Sequence, residues 1–177
     1  NPVSLYAATK KANELLAASY HNLYDIPCTG LRFFTVYGPW GRPDMAYYSF
    51  TEAILKEQAI NVFNNGNLKR DFTFIDDIIT SLALLLTVDQ QEKTKLNRVI
   101  NIGNNKRENL LDFINILEKE LGIVAKKDYL PMQQGDVYET YADISQLINI
   151  TQYNPKVSLQ EGLKKFVSWY KDYNKLN

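Results

Sequence analysis

Tyr6 and Lys10 stand four residues apart near the start of the chain, in Tyr6-Ala-Ala-Thr-Lys10. On a helix that spacing puts them one turn apart on the same face. A phenol is a poor base, with an ordinary pKa near ~10. An ammonium beside it favours the phenolate. The pair therefore offers a proton acceptor usable near neutral pH, which is what removing a proton from a sugar or alcohol hydroxyl requires. The same spacing also suits a core-facing tyrosine beside a solvated lysine, so the pair alone does not decide between the two.

Other residues add to the chemistry. Arg42 lies between Gly41 and Pro43 in a loop. A guanidinium there suits an anion, which it grips bidentately, although a loop arginine in solvent reads the same way. Thr35 ends a strand-like run, and its hydroxyl has a proton to give to a phosphate or a carboxylate. His21 is the single histidine and Cys28 the single cysteine. No base or metal cluster surrounds His21, so no catalytic role is assigned to it. Cys28 reads as a small buried hydrophobe, and one cysteine makes no intramolecular disulfide. No metal site is expected. The eight glycines form no G-x-G-x-x-G, and Pro39 and Pro43 make the Gly38–Gly41 segment a loop.

Helical and strand periods alternate along the chain, the signature of an α/β fold. Ser4 caps a helix reaching about Tyr24, with Leu5, Ala12, Leu16, Tyr20 and Leu23 on one stripe. Ile26 to Thr35 reads as one buried strand, followed by the Gly38–Asp44 loop. A helix follows over 46–58. Short strands at 60–63 and 71–75 flank an Asn/Gly turn. Asp76 or Asp77 caps the next helix, with Ile78, Leu82, Leu85 and Leu86 inward. A strand at 98–102, an amphipathic helix at 109–121, a strand at 125–130 and a short helix at 143–147 complete the middle. Ser158 and Glu161 form a capping box for a last helix whose tail after Trp169 is solvated.

The 177 residues support a sizeable core, with 45% apolar and 23% charged residues. Twenty basic residues balance twenty acidic ones, so no global field draws nucleic acid or an anionic membrane. No apolar run approaches the ~18 residues of a membrane span. A cytoplasmic location is expected.

Four segments carry a resemblance. They are Tyr6-Ala-Ala-Thr-Lys-Lys-Ala-Asn-Glu-Leu15, Leu31-Arg-Phe-Phe-Thr-Val-Tyr-Gly-Pro-Trp-Gly-Arg-Pro-Asp-Met-Ala46, Lys69-Arg-Asp-Phe-Thr-Phe-Ile-Asp-Asp-Ile78 and Gly135-Asp-Val-Tyr-Glu-Thr-Tyr-Ala-Asp143. In this order they resemble the extended short-chain dehydrogenase/reductase family, in its nucleotide-sugar epimerase branch, and most of all the UDP-glucuronate 4-epimerases. The resemblance implies NAD as cofactor, a UDP-sugar as substrate and C4 epimerisation through a 4-keto sugar. It makes Tyr6 the proton acceptor and Lys10 the partner that holds the nicotinamide ribose. It places Phe33 and Val36 against nicotinamide. It gives Thr35 and Arg42 to the sugar or phosphate, Val62 and Phe63 to uracil, Arg70 to the diphosphate and Asp136 to the nucleotide ribose. Without the resemblance, Arg70 reads as a salt-bridge partner of Asp71. Gln133 stands where some relatives have arginine, and Gln134 departs from the usual proline.

The fold implied is the C-terminal part of an extended Rossmann-type structure. Residues 1–45 are a Rossmann remnant with the catalytic helix. Residues 46–177 are mostly the substrate domain, with the elements around 70–105 returning to the Rossmann sheet. The Gly-rich cofactor cradle of such enzymes is not in this sequence. The stretch is therefore expected to bind NAD weakly and to be inactive alone. The apolar faces of the first helix and strand are expected to be partly uncovered, or covered by another copy in a homodimer. The alternatives are a related dehydratase or decarboxylase, and a non-catalytic nucleotide-sugar binding module.

Overall fold

Ser4 starts the first helix. Its backbone is extended (φ −143°, ψ 160°) and its hydroxyl accepts from the Ala7 N–H, so α1 runs Leu5–Tyr24. Asp25 closes it in the left-handed region at φ 54°. The computed structural model describes residues 2–91, 97–133 and 135–176. After α1 come β1 (Cys28–Phe33), β2 (Thr35–Tyr37), α2 (Ala46–Leu55), β3 (Ala59–Phe63), β4 (Lys69–Arg70), β5 (Phe72–Phe74) and α3 (Ile75–Gln91). Then follow β6 (Asn97–Ile102), β7 (Glu108–Asn109), α4 (Leu110–Leu121), β8 (Lys126–Leu130), α5 (Ser145–Thr151) and α6 (Leu159–Tyr173).

Three strand pairs are parallel. β1 runs beside β6 with Phe33 opposite Ile102, β2 beside β5 with Thr35 opposite Phe72, and β3 beside β8 with Val62 opposite Tyr129. Parallel partners need crossover connections, and helices lie between them in the chain, which makes the fold α/β as expected. β4 and β7 pair antiparallel, Arg70 opposite Glu108.

The strand expected over 26–35 is in fact two. The Phe34 N–H still reaches the Ile102 carbonyl (3.2 Å), but the Thr35 N–H donates to Asp71 (3.0 Å). The chain changes partner there, from β6 to β5. Nor is β1 buried: its residues are half-buried or exposed, including Cys28, and Phe33 is 48% exposed.

Two apolar clusters hold the rest. In the larger, α4 turns Leu110, Phe113, Ile114, Leu117 and Leu121 inward at helical spacing. They meet the buried stripe of α6, Leu163, Phe166, Val167 and Tyr170. Phe113 stacks on Phe72 of β5 with centroids 4.8 Å apart and planes 10° from parallel. Each such fully buried side chain contributes about 1.5–3 kcal/mol. The smaller cluster gathers Ile100 and Ile102 of β6, Ile78 and Leu85 of α3 and Leu147 of α5.

Several boundaries differ from expectation. α2 stops at Leu55 because Glu57 adopts a left-handed φ of 54°. Leu86 is 63% exposed, since α3 packs along its Ile78–Leu85 line and Leu86 falls beside it. α5 starts at Ser145 because Asp143 spends its carboxylate on the Ser145 N–H (3.0 Å) ahead of the helix. The end of α6 is not all solvated: Tyr170 is buried and Tyr173 stacks on Trp169 with centroids 5.2 Å apart. α3 begins at Ile75, so Asp76 and Asp77 lie inside its first turn instead of capping it. Asp77 is buried and accepts from the Tyr153 hydroxyl (2.6 Å) and the Val157 N–H (2.9 Å), tying the approach to α6 onto α3.

Among the described residues no helix is long and apolar enough to cross a membrane, and no His/Cys/Asp/Glu group could hold a metal ion.

Candidate active site

α1 presents Tyr6, Lys10 and Glu14 on successive turns. The Lys10 ammonium lies 5.3 Å from the centre of the Tyr6 ring, and Tyr6 is 72% exposed. The one-turn spacing thus becomes a contact between an open phenol and a cation. Glu14, one turn further, receives both arms of Arg32 from β1, Nε at 2.6 Å and Nη2 at 2.8 Å. Lys11 adds a third bond at 2.7 Å. Hydrogen bonding to Arg32 above all, then to Lys11, holds the Glu14 carboxyl down at about 2.

Arg32 leads directly into the cleft. With Phe33, Phe34, Thr35, Met45 and Thr140 it lines an open cavity of about 450 Å³. Thr35 and Thr140 are set on opposite ends of Asp71: the Thr35 N–H donates to the Asp71 carbonyl, and the Asp71 N–H donates to the Thr140 hydroxyl (3.0 Å). The Asp71 side chain is wholly buried. It accepts from the backbone N–H groups of Asn104 (2.7 Å) and Ala142 (3.0 Å) and from the Thr73 hydroxyl (3.4 Å). A buried carboxylate needs such donors. Val36 is half-buried beside Thr35 and packs toward the smaller cluster.

Arg70 does not pair with Asp71. Its Nη2 donates to Asp136 (2.7 Å), while Nη1 donates to the Lys69 and Tyr138 carbonyls (2.9 and 3.3 Å). The two side chains proposed for the two parts of a nucleotide are therefore already together. Val62 is fully buried in the larger cluster, so only its backbone is left for recognition, whereas Phe63 is half-buried at the end of β3. Gln133 is exposed and its carbonyl accepts from the Asp136 N–H (3.1 Å); Gln134 lies outside the described residues.

The loop bearing Arg42 is shaped by close approaches. A Cβ on Gly41 would fall 1.6 Å from the Tyr47 hydroxyl, so only glycine fits. Trp40 takes a left-handed φ of 61° and packs on Trp169 (5.3 Å) and Tyr173 (5.2 Å) of α6. Arg42 is exposed and bonded to Asp44, which holds its guanidinium above the ordinary range.

The sequence assigned no role to Glu14, Arg32 or Thr140, and gave Asp71 only a salt bridge with Arg70. Glu14 had a legible signal, its place four residues beyond Lys10 on the same face. The other three take their roles from contacts across the fold.

The chain matches the model of the NAD dependent epimerase/dehydratase family over residues 1–103. It is 46% identical to the Staphylococcus aureus protein CapI, covering 99% of this chain and 56% of that protein. It is 47% identical to UDP-glucuronate 4-epimerase 4 of Arabidopsis thaliana, covering 97% of this chain and 42% of the relative. It superposes on the crystal structure of the Bacillus cereus UDP-glucuronic acid 4-epimerase in complex with UDP-glucuronic acid and NAD. There the TM-score is 0.90 at 39% identity, covering 98% of this chain and 54% of that one. The chain spans about half the length of the curated relatives it matches.

Proposed function

We propose that this chain, which belongs to the NAD dependent epimerase/dehydratase family, carries the proton-transfer pair and the nucleotide-sugar cleft of a UDP-glucuronate 4-epimerase. The observation behind the reading is the Tyr6–Lys10 face of α1 joined through Arg32 to the Phe33–Thr35 cleft, in a chain like a UDP-glucuronic acid 4-epimerase along nearly all its length.

The residues present fit NAD at one end of the cofactor. Lys10 and Tyr6 are open to its nicotinamide ribose, and the exposed Phe33 ring and Val36 offer apolar contact to the nicotinamide. When bound, NAD supplies a reversible hydride acceptor for the sugar C4. Tyr6 takes the 4-hydroxyl proton as C4 becomes a ketone, and gives it back when the alcohol re-forms. The Lys10 ammonium over the ring stabilises the phenolate form that takes the proton up. Epimerisation needs the sugar to turn over between those two steps. Arg70 and Asp136 hold the diphosphate and ribose meanwhile, so binding energy far from C4 keeps the substrate in place. Arg42 and Thr35 meet the sugar carboxylate, which requires Arg42 to exchange Asp44 for substrate.

The division into a Rossmann portion (1–45, with elements around 70–105) and a substrate portion is supported by Leu31, Phe34, Ile78, Leu85, Ile100 and Ile102 sharing the smaller cluster, while Tyr37, Phe72 and Phe74 pack into the larger one and Ala142, Ile144 and Leu147 into the smaller. The outer face of α1 leaves Leu5, Leu16, Tyr20 and Leu23 more than half exposed, which supports a homodimer formed there. A cytoplasmic setting suits a chain with one free cysteine.

Calorimetric titration with UDP-glucuronate tests the cleft. Binding is expected, and Arg70→Ala should weaken it about 10–100-fold, the worth of hydrogen bonds to a charged group. Equal affinity in the variant would remove Arg70 from the site. Assayed on the whole protein with NAD⁺, UDP-glucuronate should equilibrate with its C4 epimer; release of CO₂ instead would make the protein a decarboxylase.

A further inference from the structure

We propose that Trp40 is a positioning residue for Arg42: seated on Trp169 and Tyr173, it fixes the loop that presents the Arg42 guanidinium to the carboxylate of an acidic nucleotide sugar. The proposal rests on the reading of Arg42 given above. Trp40 adopts a left-handed φ of 61°. That region is costly for a bulky side chain, and glycine or asparagine would fill it more readily. Such strain persists only where the surroundings hold it in place, and it concentrates at binding and catalytic sites.

Aromatic contacts hold it here. The Trp40 ring lies 5.3 Å from that of Trp169 and 5.2 Å from that of Tyr173, the latter edge-on at 76°. Those two rings of α6 stack on each other at 5.2 Å, and Trp169 packs on the fully buried Phe166 at 5.9 Å. Aromatic pairs at these separations attract beyond their buried area. The next residue is seated on the same core ring. Gly41 lies directly against the Tyr47 hydroxyl, and Tyr47 meets Phe166 edge-on at 5.0 Å and 88°. Residues 40 and 41 are thus both rooted in Phe166.

Arg42 follows them and has little backbone freedom of its own. Pro43 disfavours helical backbone at the residue before it. The Met45 N–H donates to the Arg42 carbonyl (3.2 Å), and Met45 lines the cavity together with Thr35. The loop therefore runs from the Trp40 seat straight into the cavity wall. Where Trp40 sits sets the point from which the Arg42 side chain departs, and that side chain alone is left to swing between Asp44 and a substrate anion.

The test is a calorimetric comparison, on the whole protein, of UDP-glucuronate with UDP-glucose, which carries a hydroxymethyl group in place of the carboxylate. The ratio of the two affinities isolates the carboxylate. Arg42→Ala should lower that ratio about 10–100-fold, the worth of hydrogen bonds to a charged group. Trp40→Gly removes the ring and relieves the backbone. It should lower the ratio about 10-fold, the lower end of that range, and no further once Arg42→Ala is present. Trp40→Asn also tolerates the left-handed region and should act alike, so the result does not hang on one variant folding. Trp40→Phe keeps a ring against Trp169 and should keep most of the ratio. A ratio unchanged in Trp40→Gly and Trp40→Asn, even with both affinities lowered together, overturns the proposal and leaves Arg42 in its role. So does a phenylalanine variant no better than the asparagine one. If Arg42→Ala leaves the ratio unchanged, the reading of Arg42 falls and the proposal with it.

Discussion

Replacing Asp71 by alanine should cost about 3 kcal/mol of folding stability. The side chain is wholly buried, and its two oxygens accept the backbone N–H groups of Asn104 and Ala142 at 2.7 and 3.0 Å. Alanine leaves both N–H groups without an acceptor in a buried place. Each orphaned donor costs about 1–3 kcal/mol, or about 2–6 together. Part returns, because the variant no longer holds a carboxylate away from water. Asparagine keeps one acceptor oxygen but turns an NH₂ toward the other N–H, so Asp71→Asn should lose about half as much as alanine. Urea denaturation measures this directly: the midpoint should fall in the order wild type, Asn, Ala, with similar slopes. A loss below about 1 kcal/mol for alanine would refute the reasoning, since the two donors would then have other partners. Because Thr35 and Thr140 hang on the Asp71 backbone, both variants should also weaken UDP-glucuronate binding.

Three further outcomes are expected. Gly162→Ala should destabilise the protein by about 1–3 kcal/mol in the same denaturation assay, because its Cβ would fall 2.1 Å from the buried Tyr37 hydroxyl and 2.9 Å from Phe74. Glu14 contributes stability with a definite pH window. Its carboxyl, held at about 2 against an ordinary 4.5, stabilises the fold fully above pH 4.5 and progressively less as pH falls toward 2. The advantage of wild type over Glu14→Gln, followed by denaturation in a pH series, should vanish over that range; an advantage still complete at pH 2 would sink the assignment. Leu16→Lys with Leu23→Lys should convert a dimer to monomer in sedimentation, and a dimer that survives both would place its interface elsewhere than on α1.

The sequence carried most information where structure is local. Ser4 and Ser158 both cap as their neighbours suggested, with hydroxyls accepting from Ala7 and Glu161. The amphipathic period over 109–121 is borne out by α4, which buries Leu110, Phe113, Ile114, Leu117 and Leu121. Local rules did not reach the partner change at Phe34, because nothing in Arg32-Phe-Phe-Thr35 says that two different strands arrive there, one at Ile102 and the other at Phe72. The same limit applies to Asp77, whose acceptor role is set by Tyr153 and Val157. At the site, the contact between Tyr6 and Lys10 was legible from spacing, whereas Arg70 meeting Asp136 across 66 residues was not: the resemblance gave the two only to separate parts of a nucleotide. Arg70 beside Asp71 in sequence pointed to the wrong partner, since adjacent residues on extended chain face opposite ways.

The aromatic contact between the Gly38–Asp44 loop and α6 has an optical consequence. The chain has two tryptophans, and they are Trp40 and Trp169, with ring centroids 5.3 Å apart and a tyrosine against both. Indoles this close couple their transition dipoles, giving a paired circular-dichroism band that neither would give alone. All the indole emission of the chain therefore arises at one junction, between the loop that carries Arg42 and the final helix. A spectrometer tuned to tryptophan reports on the packing of that one junction.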